Sequence, residues 1–308
     1  MQKIKITDWL EQRRLGIGGS DAATVLGLNP YKSRLQLYLE KIGEYSEKVD
    51  NRFVYWGSLH EDMVAQEFMR QTGLKVRRNN HILMNEEYPF MLGNIDRESI
   101  DNEGQHFVLE CKTTNAWNSK IWDGEKIPIT TIIQVVHYLI ITNYDYGYIA
   151  VLIGGNDFRF KKIERDPELE RMVINQENDF WVNNVEKRIP PAIDGSKASS
   201  DFLLKTFPDS IPDSTFDLNH EDRILLKDRE KFITEKKTIE TKIQTIDNLI
   251  KEEMEDNEIG ILDNYKVSWK SFFQNRFQTK SFKEEHPKLY DLYSKESSSR
   301  RFQIRKVS

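Results

Sequence analysis

Apolar and polar positions recur with two different periods along this chain, and the changes of period mark its elements. Ile129–Thr142 is an apolar run long enough for a buried helix, with Gln134, His137, Tyr138 and Ile141 on one face. Over residues 56–71 apolar positions return every three or four residues, predicting a helix that Gly73 ends; Gly57, Glu61, Val64, Ala65 and Phe68 share its apolar stripe. Shorter helices are predicted over 8–14, with Asp8 at its start, and over 33–42, stopped by Gly43. Asp166-Pro167-Glu168 opens another, reaching Trp181 and about Lys187. Period two governs Tyr146–Ile153 and residues 158–162, and the Gly154-Gly155-Asn156-Asp157 turn between them predicts a hairpin. Residues 74–78 and 81–84 read as short strands. Two further apolar runs, 91–96 and 107–111, flank the turn Asn102-Glu103-Gly104, and a hairpin made of them would set Asp96 beside Glu110.

The pattern changes at Ile189-Pro190-Pro191, and 194–216 is rich in turn residues, which places a boundary near Asp194. The expected division is 1–193 and 194–308. Within the second part, 219–256 is charged and helical, with Ile224, Leu225, Phe232, Ile239, Ile243, Ile246 and Ile250 spaced as in a helical hairpin or short coiled coil. From Gly260 onward, strand-like residues alternate with bases and aromatics such as Trp269, Phe272, Phe277 and Phe302, predicting a small α+β tail over 260–308.

Composition narrows the function classes. The 308 residues suffice for a sizeable core, and no apolar run approaches the ~20 residues that cross a bilayer. The polar start Met1-Gln2-Lys3-Ile4-Lys5 lacks a signal-peptide core. One cysteine, Cys111, excludes an internal disulfide and a thiolate zinc site, so a reducing cytoplasm is the expected compartment. The net charge of -5 argues against indiscriminate nucleic-acid binding, yet residues 265–308 carry eleven Lys or Arg against four Asp or Glu. Bases interleaved with aromatics can hold nucleic acid by charge and stacking; a solvated basic face on an ordinary core gives the same pattern.

The candidate chemistry centres on Phe107-Val108-Leu109-Glu110-Cys111-Lys112, an apolar strand interrupted by one acid. Alternation puts Glu110 and Lys112 on one face, with Leu109 and Cys111 on the other, so Cys111 faces the core and is not a nucleophile. Asp96 and Glu110 held together repel unless a cation lies between them, and their oxygens suit Mg²⁺ or Mn²⁺. Lys112 can then orient a water or stabilise charge on a phosphate. The alternative is a turn residue and a cross-strand ion pair. Glu61, an acid on an apolar stripe, needs a cation or an ion-pair partner, whereas His137 reads as a satisfied histidine. The loop Gly16-Ile17-Gly18-Gly19-Ser20-Asp21, with Arg13 and Arg14 upstream, is either an anion-binding entry to a helix or a tight turn capped by Ser20. It matches neither a Walker A motif nor a dinucleotide fingerprint.

Several of these segments occur in an order that resembles the YqaJ family of phage-type nucleases, relatives of lambda exonuclease in the PD-(D/E)XK superfamily. They are Trp9-x-x-x-Arg13, Ile17-Gly18-Gly19-Ser20-Asp21, Trp56-Gly57-x-x-x-Glu61, Asp96, Glu110-Cys111-Lys112-Thr113-Thr114 and Gln134-Val135-Val136-His137-Tyr138. No Pro precedes Asp96, a departure from the superfamily's name pattern, and the C-terminal extension is absent from the smaller lambda enzyme. The resemblance implies an α/β restriction-endonuclease-like core, a mixed sheet flanked by helices, followed by the helical and α+β extension. It implies that Asp96, Glu110 and the Cys111 carbonyl bind Mg²⁺ or Mn²⁺, and that Glu61 serves a second metal or its water. Lys112 would position and help deprotonate the attacking water, Gln134 would hold the site or substrate, and Tyr138 would support it. The spacings from Trp9 and to Ser20 make Arg13, with Ser20, the expected 5′-phosphate contact; Arg14 is the rival. The implied activity is 5′-to-3′ exonuclease digestion of linear duplex DNA during phage-type recombination in a bacterial host. A ring-shaped homotrimer and a RecT-type single-strand annealing partner are implied with it. An endonuclease of the same fold, or a non-catalytic DNA-binding scaffold, are the alternatives; the presence of Glu61, Asp96, Glu110 and Lys112 together disfavours the scaffold.

Overall fold

A computed structural model of the chain describes residues 11, 13–46, 51–295 and 299–306. Asp8 and Trp9 lie outside them; Glu11, Arg13 and Arg14 are helical. The chain divides into two compact units, Met1–Phe207 and Pro208–Ser308.

The first unit is mixed α/β. Its main sheet has five strands in the order β2-β5-β6-β7-β8, made by β2 (Arg77–Arg78), β5 (Arg97–Ile100), β6 (His106–Thr114), β7 (Tyr146–Ile153) and β8 (Asp157–Glu164). Only β6 and β7 run parallel, so the chain must cross over between them. It does so through a 3-10 turn, Ala116–Trp122, and helix α4, Ile129–Thr142, which has the predicted bounds. Alternation along β6 supplies both faces of the sheet. Phe107 and Leu109 pack with Val64, Ala65 and Phe68 of helix α3 (Asn51–Thr72), while Val108 packs with Val135, Tyr138 and Leu139 of α4. Helix α3 starts before the predicted Trp56, but its buried face is the predicted one.

A second core joins α1 (Gly19–Val25), α2 (Arg34–Lys41), α4 and α5 (Pro167–Asn178), with Ile17, Leu37, Ile133, Val173 and Phe180 fully buried. After α5 the chain continues as a π-helical stretch, Asp179–Glu186. A small sheet edges this core: β1 (Ile17–Gly18) pairs parallel with β4 (Met91–Gly93), and β4 pairs antiparallel with β3 (Leu83–Met84).

That small sheet corrects the predicted hairpin. Residues 91–93 do not face β6; the partner of β6 is Arg97–Ile100. Gly93 lies where a Cβ would come 3.2 Å from Ile141, Ile95 is buried, and the chain passes from one sheet to the other between them. Asp96 therefore stands at the start of β5, still beside β6. The division between units also falls one helix later than Pro190-Pro191, because α6 (Lys197–Thr206) sets Phe202 edge-on against Tyr45 of the first unit.

In the second unit, α7 is one continuous helix, His220–Met254, rather than a hairpin. Asn219 caps it by accepting from the Glu221 and Asp222 amides at 2.7 and 3.1 Å, and no Gly or Pro interrupts it. A hairpin follows, β9 (Ile259–Leu262) with β10 (Tyr265–Ser268), then helices α8 (Thr279–Glu285) and α9 (Pro287–Tyr293), an α+β arrangement. Among the described residues no helix is long and apolar enough to cross a membrane.

Candidate active site

Glu110 is the acid that strand β6 carries into the sheet–α4 interface, where it is 3% exposed. Its Oε1 accepts from Gln134 Nε2 at 2.7 Å and from Lys112 Nζ at 2.6 Å. Gln134, on α4, also accepts from Lys112 Nζ at 2.9 Å and donates to the Tyr138 hydroxyl at 3.0 Å. The amide is thereby oriented, its oxygen to the cation and its nitrogen to the acid. Glu110 Oε2 is buried and has no hydrogen-bond partner. A carboxylate oxygen in that condition is costly unless something electropositive completes it.

Asp96 approaches from the head of β5, and its Oδ2 accepts the Cys111 amide proton at 2.8 Å. Burial, then Glu110 and Glu61, push its proton affinity well above the ordinary carboxylate range, against the Cys111 amide and Lys112. Two acids are thus forced together on one side of the sheet. Burial alone would lower Lys112, but Glu110 and Asp96 raise it, so the side chain stands as an ammonium and a donor. Burial and the neighbouring acids also push the Cys111 thiol and the Tyr138 hydroxyl up, so neither is a nucleophile here.

The donor set fits a hard divalent cation: two carboxylates, one with an unpartnered buried oxygen and one with a raised proton affinity. Glu61, whose charge also acts on Asp96, is itself held by cations. It forms an ion pair with Arg97, whose Nη1 also donates to the Asp96 carbonyl at 2.6 Å, and Arg78 lies 3.7 Å from it. The ion-pair alternative for Glu61 is the one seen, and Arg97 also holds Asp62. Among the described residues no three His, Cys, Asp or Glu side chains gather closely enough to hold a metal without other donors.

A recess of about 180 Å³ opens beside this network, lined by Arg13, Gly18, Gly19, Ser20, Gln134 and Tyr138 among others. Arg13 Nη2 donates to Ser20 Oγ at 2.9 Å and to Asp21 Oδ1 at 3.0 Å. Arg14 is elsewhere, its guanidinium near Gly43. The glycines have a steric role: a Cβ on Gly19 would fall 2.4 Å from the Tyr138 ring, and one on Gly16 would fall 2.4 Å from the Phe90 carbonyl. Ser20 is not the cap of α1. Gly18 is, because Ile17–Gly18 enters the helix directly from its pairing with Met91 and Leu92. A wider depression of about 770 Å³, lined by Trp122, Arg159 and Lys161 among others, is bordered by none of Glu61, Asp96 and Glu110.

Three polar groups were not singled out by sequence reasoning. Asp21 is buried between Arg13 and Lys41, 2.7 Å from the Lys41 ammonium. Lys41 carried a signal, since it shares the face of Leu37 and Tyr38 on α2. Glu177 accepts from or donates to His137 Nδ1 at 2.8 Å, while His137 Nε2 lies 3.0 Å from the Leu92 carbonyl. His137 is thus a satisfied core histidine. Burial raises Glu177, and Glu177 raises His137 although burial pulls the other way.

The sequence profile of the YqaJ-like viral recombinase domain matches residues 8–145, a span that holds Arg13, Glu61, Asp96, Glu110, Lys112 and Gln134. Protein YqaJ of Bacillus subtilis (strain 168) is 41% identical over 304 residues, covering 98% of this chain and 94% of that protein. Protein D345L of African swine fever virus (strain Badajoz 1971 Vero-adapted) is 43% identical over 53 residues, which is 17% of this chain. Among solved structures, the alkaline exonuclease LHK-Exo from Laribacter hongkongensis superposes with a TM-score of 0.50 at 16% identity, covering 65% of this chain and 97% of that one. LHK-Exo is also known in complex with dAMP.

Proposed function

The chain belongs to the YqaJ-like viral recombinase family, and from that premise we propose that it is a metal-dependent exonuclease that resects linear duplex DNA 5′-to-3′. Its core is read as the PD-(D/E)XK type, with Asp96 at the head of β5 and Glu110 within the adjacent β6. The observation that carries the reading is the buried, unpartnered Oε2 of Glu110 beside an acid that repels it.

Asp96, Glu110 and the Cys111 carbonyl would hold Mg²⁺ or Mn²⁺, which would supply an activated water and stabilise charge on the phosphate oxygens. Lys112, held as an ammonium by Glu110 and Gln134, orients that water and offsets negative charge that develops during attack. Gln134 fixes Lys112 and Glu110 in register, and Tyr138 fixes Gln134. Glu61 keeps the role of a second-metal or water ligand only if Arg97 releases it. In the adjoining recess Arg13 and Ser20 engage the 5′-terminal phosphate, whose charge exceeds that of an internal diester. A 5′-mononucleotide such as the dAMP bound by LHK-Exo has the chemistry of the product this reaction releases. The wider setting proposed is a bacterial cytoplasm during phage or prophage recombination, a homotrimer around DNA, and a RecT-type annealing partner.

End-labelled linear duplex and closed circular DNA, each with and without Mg²⁺, test the reading. Loss of the linear substrate alone, and only with metal, is expected. Cutting of the circle would make the chain an endonuclease, and no cutting of either would leave a DNA-binding scaffold.

A further inference from the structure

Arg13 cannot attract an anion merely by being present in the recess, because Asp21 lies 3.0 Å from its guanidinium and is itself 4% exposed. At that distance the carboxylate offsets charge that an incoming phosphate would otherwise feel. The pair taken alone is neutral.

Lys41 changes the sum. Its ammonium is also 4% exposed, and it donates at 2.7 Å to Asp21 Oδ2 and at 2.7 Å to the Arg13 backbone carbonyl. Asp21 therefore presents one oxygen to each cation. Lys32, the other base that acts on Asp21, is balanced by Glu40 at 2.7 Å. Arg13, Asp21 and Lys41 together carry one positive charge, and the only one of the three that reaches the recess is Arg13.

We infer that Lys41 is a positioning residue for 5′-end recognition: by neutralising Asp21 it keeps Arg13 cationic toward the recess. Asp21 in turn orients the Arg13 fork, with Ser20 as the second acceptor. Lys41 touches neither the acid pair nor the recess, so its influence on the substrate passes through Asp21 and Arg13. The depressed proton affinity of Asp21, which its bases produce against the effect of burial, agrees with a carboxylate that stays ionised in this arrangement.

The inference rests on the proposed 5′-phosphate pocket, and the experiment separates the two. Initial rates on 5′-phosphorylated and 5′-hydroxyl duplexes give a ratio within each protein, so a general change in turnover cancels. Wild type, Lys41→Met and the double variant Asp21→Asn/Lys41→Met are compared. A phosphate preference in wild type should fall by roughly tenfold in Lys41→Met and return in the double variant, where position 21 no longer carries a charge that offsets Arg13. The double variant leaves no charge of this cluster buried without a partner, so its failure to keep a preference overturns the inference even if the single variant does not fold. A ratio near one in wild type removes the pocket, and the inference with it. A preference that survives in folded Lys41→Met overturns the inference and leaves the pocket; a double variant that stays at one makes Lys41 a packing residue and overturns it too.

Discussion

The chain treats two aspartates, buried Asp21 and half-buried Asp96, in opposite ways. Asp21 is surrounded by cations of the chain's own, Lys41 and Arg13, and its proton affinity falls far below the ordinary range although burial opposes this. Asp96 faces Glu110 and Glu61, and its proton affinity rises. Desolvation pushes both upward, so the sign is set by neighbours. The difference separates a carboxylate whose counter-ion is built in from one whose counter-ion must come from outside.

The largest expected effect tests the second half of that contrast. Asp96→Ala or Glu110→Ala should lower nuclease activity by on the order of 10³-fold or more, with the fold intact, since each removes one of two mutually repelling acids. Near-wild-type digestion by either purified variant would end the metal-site assignment. The same change at the other aspartate should act on stability. Asp21→Ala strands the Lys41 ammonium in the core and should cost about 3–5 kcal/mol, measured by denaturant unfolding, whereas Asp96→Ala should cost less than about 1 kcal/mol. Equal losses at the two positions would erase the contrast.

How much of this could be read in advance differs between the two sites for a physical reason. Glu110 was legible because a lone acid interrupts an apolar run, and Gln134 and Tyr138 because a helical period of 3.6 places them one turn apart toward the same strand. The Asp21–Lys41 contact spans 20 residues and two helices, and the Glu177–His137 contact spans 40; local periodicity places each residue on a face but does not say which faces meet. The break between β4 and β5 was hidden for the same reason, since residues 91–96 carry a continuous apolar pattern while their hydrogen-bond partners change from β1 and β3 to β6. Helix α7 is another matter. The absence of Gly or Pro from 219 to 256 was visible and favours one long helix, but heptad spacing suggested a partner, and a hairpin was the nearest way to provide one.

A smaller effect concerns the guanidinium between the two sites. Arg13→Ala should reduce the 5′-phosphate preference roughly tenfold, without the large loss of activity expected at Asp96, because the recess is lined by Gln134 and Tyr138 and by neither Asp96 nor Glu110. If the variant keeps the full preference, the phosphate contact is not Arg13, and Arg14 near Gly43 becomes the residue to test.

The smallest expected effect is in the pH dependence of stability, and there the two aspartates should pull in opposite directions. Asp21 has a folded-state pKa below its unfolded value of about 3.9, so its contribution is present above that pH and is lost as the solution is acidified through the folded value. Asp96 is the reverse. Its folded-state pKa lies above the unfolded one, so the native protein binds the extra proton, and stability drains away as pH rises from about 4 through the folded value. The slope for one proton is at most about 1.4 kcal/mol per pH unit. Above pH 4, the free energy of unfolding of chelator-treated wild type should therefore fall relative to Asp96→Asn, which has no proton to lose. Mg²⁺ should close the gap by compensating the charge that deprotonation creates, and should do little for the variant. Parallel profiles for the two proteins in chelator would mean that Asp96 is not held protonated by its neighbours, and the contrast with Asp21 would then reduce to one of hydrogen bonding alone.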